Sequence, residues 1–246
     1  MPVFFIPPDS IRHGTVTITG PLLEHLRGSL RVQTGEEVWL GNGRRQRYRI
    51  RVTHIDRREL RGEILEERTA RVPIVPSLAL GQALLKGERM EWVIQKATEL
   101  GVAAIVPLVS ARVITRPKAE RLTPQHERSQ RIALEAAQQA ERWDIPLVSR
   151  PEAASDFFAS RSPSSLKLIL VEREGEQGLP SVALPQSAEH HIVLAVGPEG
   201  GWEQDELQRA VEAGFTPVTL GPRILRAETA AVAGISILQS RLGELG

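Results

Sequence analysis

Residues 190–214 read HHIVLAVGPEGGWEQDELQRAVEAG, and their types and order suit ligand binding. An apolar run of strand length, Ile192 to Val196, leads into Gly197-Pro198-Glu199-Gly200-Gly201. A helical pattern then starts at Glu203 and stops at Gly214. A strand, a glycine-rich turn and a helix offer backbone N–H and C=O groups to a ligand with little side-chain obstruction. A second segment, VTLGPRILRAETA, repeats the arrangement: Leu220, then Gly221-Pro222, then a polar loop entering a helix. Either turn alone reads more readily as a tight strand-to-helix connection. Together, with Arg226 and Glu228 beside the second, they point to a flat ligand held at the carboxyl ends of two strands. The two turns are expected to lie side by side. No Gly-Lys-Ser/Thr follows either one, so neither is a Walker loop, and the spacing is not GxGxxG.

The elements that must carry these turns follow from periodicity. SLALGQALL, AAIVPLVS, SLKLILVE, HHIVLAV and FTPVTLG are apolar runs that read as strands. GERMEWVIQKATELG places Met90, Val93, Ile94, Ala97 and Leu100 at helical spacing, with Gly101 as its stop. TPQHERSQRIALEAAQQAERW reads as a helix capped by Thr123 with Pro124 at its first position. RAETAAVAGISILQSRL is the closing helix. Strands alternating with helices predict an α/β fold with a mostly parallel sheet covered on both faces.

Upstream, the character changes at TARVPIVPS, where Pro73 and Pro76 suit an extended linker. Two domains are expected, 1–72 and 73–246. The whole chain has a formal charge of +1, but its first 72 residues hold 13 Arg against 9 acids, while the remainder holds 18 basic and 21 acidic residues. A basic small domain beside a mildly acidic larger one suits a polyanionic partner. GRRQRYRIRV is its densest basic stretch. Arg45, Arg47, Arg49 and Arg51 alternate with Gln46, Tyr48, Ile50 and Val52, which gives a strand with one arginine face. Such a face fits a phosphate backbone, or is a solvated edge kept from aggregating by charge. Turn signals at Gly35, 41–43 and Gly62 make this domain β-rich, with one short helix within PLLEHLRGSLRV.

Cysteine is absent, which excludes a disulfide framework, a thiolate metal site and a cysteine nucleophile. His190 and His191 are neighbours in a strand and face opposite ways, so they do not make a metal pair. No metal is expected. No apolar run has membrane-spanning length and no leader precedes the first domain, so a cytoplasmic location without membrane attachment is expected.

Four segments, GPEGGW…E, LGPRILRAETA, WVIQKATELGV…IVPL and HLRGSLRVQTGEEVWLGNG, resemble the RsmE family, the 16S rRNA uridine-N3 methyltransferases of the SPOUT superfamily. The resemblance runs through nearly the whole chain in order. It implies a SPOUT-type parallel sheet with a C-terminal trefoil knot, preceded by a small β-rich PUA-like domain. It also implies S-adenosylmethionine as cofactor and 16S rRNA of the small ribosomal subunit as substrate, bound by a homodimer with composite sites. By the same resemblance, the cofactor would meet Val196, Gly197, Pro198, Glu199, Gly200 and Gly201, then Leu220, Gly221, Ile224, Leu225 and Thr229. Leu170, Val171 and Glu172 match more loosely. Gln95, Lys96, Glu99 and Gly101 match a helix near the site. Arg45, Arg47, Arg49, Arg112 and Arg142 are the expected RNA contacts. One departure stands out: the family's Ala-Glu-Gln, followed three residues later by Arg, is here Ala137-Gln138-Gln139 and Arg142, so Gln138 is given no acid/base role.

Methyl transfer from a sulfonium is an in-line displacement, so alignment and exclusion of water are the main tasks. The uridine N3 proton must leave. Arg226 and Glu228 are the expected catalytic pair. Glu228 could accept that proton, or merely favour a helix N-terminus. Arg226, or Arg112 from a partner chain, could stabilise charge on the uracil oxygens. Ala231, Ile235 and Leu238 of the closing helix are the expected dimer contact. Two other readings remain: a SPOUT enzyme acting on a ribose 2′-hydroxyl or another base position, and a non-catalytic RNA-binding module.

Overall fold

Alternation decides the first unit. Along Gln46–Ile55 every second side chain, Tyr48, Ile50 and Val52, is buried, and the arginines between them face outward. In the computed structural model, which describes residues 3–114, 119–162, 164–172 and 177–245, the chain forms two compact units. The first comprises Met1–Val72 and Ala137–Ile145, the second Pro73–Ala136 and Pro146–Gly246.

The first unit contains β1 (Val3–Phe5), β2 (Ile11–Arg12), β3 (Thr15–Ile18), α1 (Gly20–Glu24), β4 (Glu37–Gly41), β5 (Gln46–Ile55) and β6 (Leu60–Thr69). Its described strands pair in the order β1-β4-β5-β6-β3-β2, antiparallel except for β1 with β4. Leu26, Leu40, Ile50 and Leu60 are fully buried in its core. The β5–β6 turn is held by Asp56, whose carboxylate accepts the backbone N–H groups of Arg58 (2.7 Å) and Glu59 (2.9 Å). Those bonds favour the charged form and lower the Asp56 pKa to about 2.

The second unit contains β7 (Ser77–Ala83), α2 (Arg89–Glu99), β8 (Ala104–Val109), α3 (Ala119–Gln139, to Ala136 in this unit), β9 (Leu147–Val148), β10 (Glu152–Ala153) and α4 (Ala154–Ser160). β11 (Leu166–Leu170), β12 (Gln177–Gly178), β13 (His191–Val196), α5 (Gln204–Glu212), β14 (Thr216–Thr219) and α6 (Ala227–Leu242) complete it. The sheet runs β10-β8-β7-β13-β11-β14-β12, with β9 beside β8, and every described pairing is parallel.

Continuous apolar runs are what a sheet buried on both faces requires. Ile192, Leu194 and Val196 pack with α2 and α6 on one face, while Val193 and Ala195 pack with Phe157, Phe158 and Phe215 on the other. Two glycines permit this close layering. A Cβ on Gly81 would lie 2.4 Å from Phe157 Cζ, and one on Gly234 would lie 2.9 Å from Leu194 Cδ2.

Several expectations change. The long helix begins at Ala119, so Pro124 lies inside it and Thr123 does not cap it. A full turn forms upstream, so the proline removes the N–H that would have met the carbonyl four residues back and crowds its ring against that carbonyl. Ala231, Ile235 and Leu238 are fully buried in the core of their own chain and cannot form a dimer contact. Helical spacing marks a buried stripe without saying what buries it. The two Gly-Pro turns are not on neighbouring strands: β11 lies between β13 and β14.

Candidate active site

The insertion of β11 is what builds the site. Three loops leave the carboxyl ends of three adjacent strands, β13, β11 and β14, and together they wall a cavity of about 700 Å³. That volume is in the range of small-molecule sites. The loops are Leu170-Val171-Glu172, residues 196–202 and residues 220–226.

Each loop is fixed locally. In the second, the Gly201 N–H closes a turn onto Pro198 O (3.0 Å), with Gly201 at φ 67°. Glu203 then caps α5 in a reciprocal capping box with Glu206. In the third, Gly221 takes φ 104°, a conformation in which a residue with a Cβ is strained. Trp202 ties two loops together: its Nε1–H donates to Leu170 O at 3.1 Å, while its ring packs edge-on against Phe158. Fully buried Gln82 donates from Nε2 to Gly197 O (3.3 Å). Arg112 donates from a guanidinium nitrogen to Gly200 O (3.0 Å), so it braces the second loop of its own chain.

The cavity is apolar at Leu170, Leu220, Ile224 and Leu225 and charged at particular points. Glu199 Oε1 accepts the Lys86 N–H (3.1 Å) and a guanidinium N–H of Arg89 (3.2 Å). Arg89 also lies 3.7 Å from Glu228 Oε1. The Oε2 atoms of Glu199 and Glu228 are both buried without a hydrogen-bond partner. Arg223 and Arg226 are exposed, line the opening, and have no side-chain partner among the described residues.

Of the residues expected to meet the cofactor, all but Thr229 line this cavity, and so does Arg226. Glu228 and Thr229 do not; Glu228 sits beside Arg89 in the first turn of α6. Gln95, Lys96, Glu99 and Gly101 also lie outside its lining. Lys96 pairs with Glu99 at 2.9 Å, and Gly101 sits beside Gln239, which donates to Leu100 O at 2.7 Å. Sequence reasoning missed Gln82, Arg89 and a site role for Trp202. An amide inside the apolar run SLALGQALL is a visible signal for Gln82; nothing in the sequence singles out Arg89.

The expected RNA-binding arginines of the first unit have partners in that unit. Arg45, at φ 70°, donates to Asp144 (3.2 Å) and to Arg71 O. Arg47 stacks on Trp143, 4.1 Å from the ring centroid, and donates to Glu141 O and Arg142 O; burial lowers its pKa. Arg49 bridges Glu37 and Glu66 at 2.9 Å each, and Arg142 pairs with Asp144 at 2.7 Å. Among the described residues no three His, Asp or Glu converge as a metal site, and no helix is long and apolar enough to cross a membrane.

A parallel α/β sheet with this three-loop cavity, in a chain whose other unit is a small β-rich one, defines a class. Residues 73–239 match the family model described as RNA methyltransferase domain, and residues 18–65 match that described as RNA methyltransferase PUA domain. The ribosomal RNA small subunit methyltransferase E of Synechocystis sp. is 34% identical over 96% of this chain and 77% of its own length. The structure of an enzyme of that name from Neisseria gonorrhoeae, bound to S-adenosylmethionine, superposes with a TM-score of 0.87 at 35% identity, covering 98% of each chain. A putative methyltransferase of Legionella pneumophila in complex with the same cofactor superposes at 0.86 with 29% identity over 97% of each chain. The chain belongs to the RsmE family of RNA methyltransferases.

Proposed function

We propose that the protein transfers a methyl group from S-adenosylmethionine to N3 of a uridine in 16S ribosomal RNA of the small subunit. The single observation that carries the reading is the cavity at the ends of β13, β11 and β14 in a chain of this family. Its walls suit the cofactor. Backbone groups at Gly197, Gly200, Gly201 and Gly221 approach without side chains, apolar residues flank them, and the Glu199 carboxylate keeps one oxygen without a partner. When bound, S-adenosylmethionine supplies an electrophilic methyl group on a sulfonium.

The chain's residues do the rest. The three loops hold and orient, with Trp202 and Arg112 keeping them in register. Arg226, on the cavity wall and free to reach outward, stabilises negative charge on the uracil oxygens as the N3 proton passes to solvent water. Glu228 is less suited to take that proton, since it stands outside the lining beside Arg89. Arg223 and Arg226 present positive charge to RNA at the opening. The small unit, residues 1–72 read as a PUA-like module, adds RNA affinity through its basic surface, and residues 73–246 carry the chemistry in the cytoplasm.

The same reading makes the C-terminal segment a trefoil knot and the working form a homodimer with composite sites. The knot is supported by the out-of-order strands β13-β11-β14 and by α6, which follows β14 yet packs on β13 and α2; the homodimer rests on the family resemblance alone. Its dimer contact lies elsewhere than on the buried face of α6.

Nucleoside mass spectrometry of 16S rRNA from a strain lacking the gene tests the activity. Loss of 3-methyluridine, restored by the gene, is expected. Loss of a 2′-O-methyl nucleoside instead would move the target to ribose, and no loss would leave an RNA-binding module.

A further inference from the structure

The charge in and beside the cavity wall differs from the charge on its rim: Arg89 and Glu199 line the cavity, and Glu228 stands outside the lining, next to Arg89. Glu199 and Glu228 have side chains only 19% and 14% exposed, and one guanidinium, Arg89, serves both. Its contact with Glu199 is a hydrogen bond, while the one with Glu228, at 3.7 Å, is a looser ion pair. Two largely buried carboxylates and one exposed guanidinium leave a formal charge of −1. Both Oε2 atoms are also denied water and denied a donor. Arg223 and Arg226 on the rim are exposed, where solvent and salt screen them. Inside, with an effective dielectric of about 20, an unbalanced charge still acts across several ångströms.

Resting on the proposed use of S-adenosylmethionine, we infer that the Glu199–Arg89–Glu228 cluster makes the site charge-selective: it holds the cationic cofactor and releases the neutral product. With its sulfonium, ammonium and carboxylate, S-adenosylmethionine carries a net +1. When the S–CH₃ bond breaks, its electron pair stays on sulfur, and S-adenosylhomocysteine is left with no net charge. A cluster of −1 attracts the first and is indifferent to the second, without needing direct contact. Arg89 is a positioning residue here: it fixes both carboxylates and sets their sum at −1 rather than −2.

The test reads a ratio, the dissociation constant of S-adenosylhomocysteine over that of S-adenosylmethionine, measured by titration calorimetry. Glu228→Gln brings the cluster to zero and should lower the ratio roughly tenfold, equivalent to about 1.4 kcal/mol. Product affinity should stay within about twofold. Arg89→Gln brings the cluster to −2 and should raise the ratio, whereas Arg89→Lys keeps the charge and should keep the ratio. A role in packing alone would weaken both ligands together and leave the ratio unmoved in every variant, which overturns the inference. The unmodified protein supplies a check independent of folding. An analogue with a protonated amine in place of the sulfonium should bind like S-adenosylmethionine, and a neutral carbon isostere like the product; equal affinities for the two analogues also overturn it. If the unmodified protein binds neither natural ligand, the proposed function fails instead.

Discussion

Gly221→Ala isolates one physical cause at the candidate site. Gly221 holds φ at 104°, and a Cβ built there meets nothing within 4 Å. Steric crowding therefore contributes nothing, and the whole effect is backbone strain, about 1–3 kcal/mol for a residue with a side chain in such a conformation. That energy has two outlets. If the loop keeps its shape, the folded state loses that much, and at about 2–4 °C per kcal/mol for a chain of this size the melting temperature falls by about 2–12 °C. If the loop relaxes, stability is preserved and the cavity wall moves, weakening S-adenosylmethionine by about 5- to 150-fold. Calorimetric melting and ligand titration on the same preparation measure both, and the losses should together reach at least about 1 kcal/mol. Gly200→Ala is the contrast. Gly200 does not take a positive φ, and its new Cβ would stand 3.2 Å from Arg112 Cβ, so its effect depends on whether Arg112 gives way. A Gly221→Ala protein with unchanged melting temperature and unchanged cofactor affinity would refute the reasoning.

Gly81→Ala should destabilise by about 1–3 kcal/mol or more, because its Cβ would meet Phe157 at 2.4 Å; shrinking the ring with Phe157→Leu should recover part of the loss in a double-mutant melting series. Trp202→Phe keeps an aromatic ring against Phe158 but strips Leu170 O of its donor, so chemical denaturation should show about 1–3 kcal/mol lost, with weaker cofactor binding by calorimetry. Asp56 should titrate near pH 2 by NMR. Because its folded pKa lies below the ordinary 3.8, the stability it adds is present above that value and is lost as pH falls through about 2. Asp56→Asn should flatten that part of the acid-denaturation curve. Changing Arg45, Arg47 and Arg49 to Gln tests how the small unit contributes: a lower salt slope of RNA binding marks phosphate contacts, and a lower melting temperature with an unchanged slope marks bracing within the unit.

Local pattern is strong evidence for what a segment becomes and weak evidence for what it meets. The sequence by itself determined the apolar runs that became β7, β8, β11, β13 and β14, because strands buried on both faces leave no choice of residue type. It marked the helix stops at Gly101 and Gly214, both at φ 86°, and the two glycine-rich turns, since only glycine adopts such backbone freely. The short β9, β10 and β12 and the seven-residue α4 carry too few residues for a period to show. The resemblance to a family supplied most of the cavity residues, and the structure then gathered them. Tertiary structure alone decided that β11 stands between β13 and β14, which turns two separate Gly-Pro loops into three walls of one cavity. It decided that Ala231, Ile235 and Leu238 face their own sheet, and that the arginines of β5 meet Glu37, Glu66 and the segment around Trp143. It also brought Arg89, 110 residues from Glu199 and 139 from Glu228, between those two carboxylates. Periodicity reports burial along one element. Which groups neutralise one another depends on chain segments distant in sequence, and only packing brings those together.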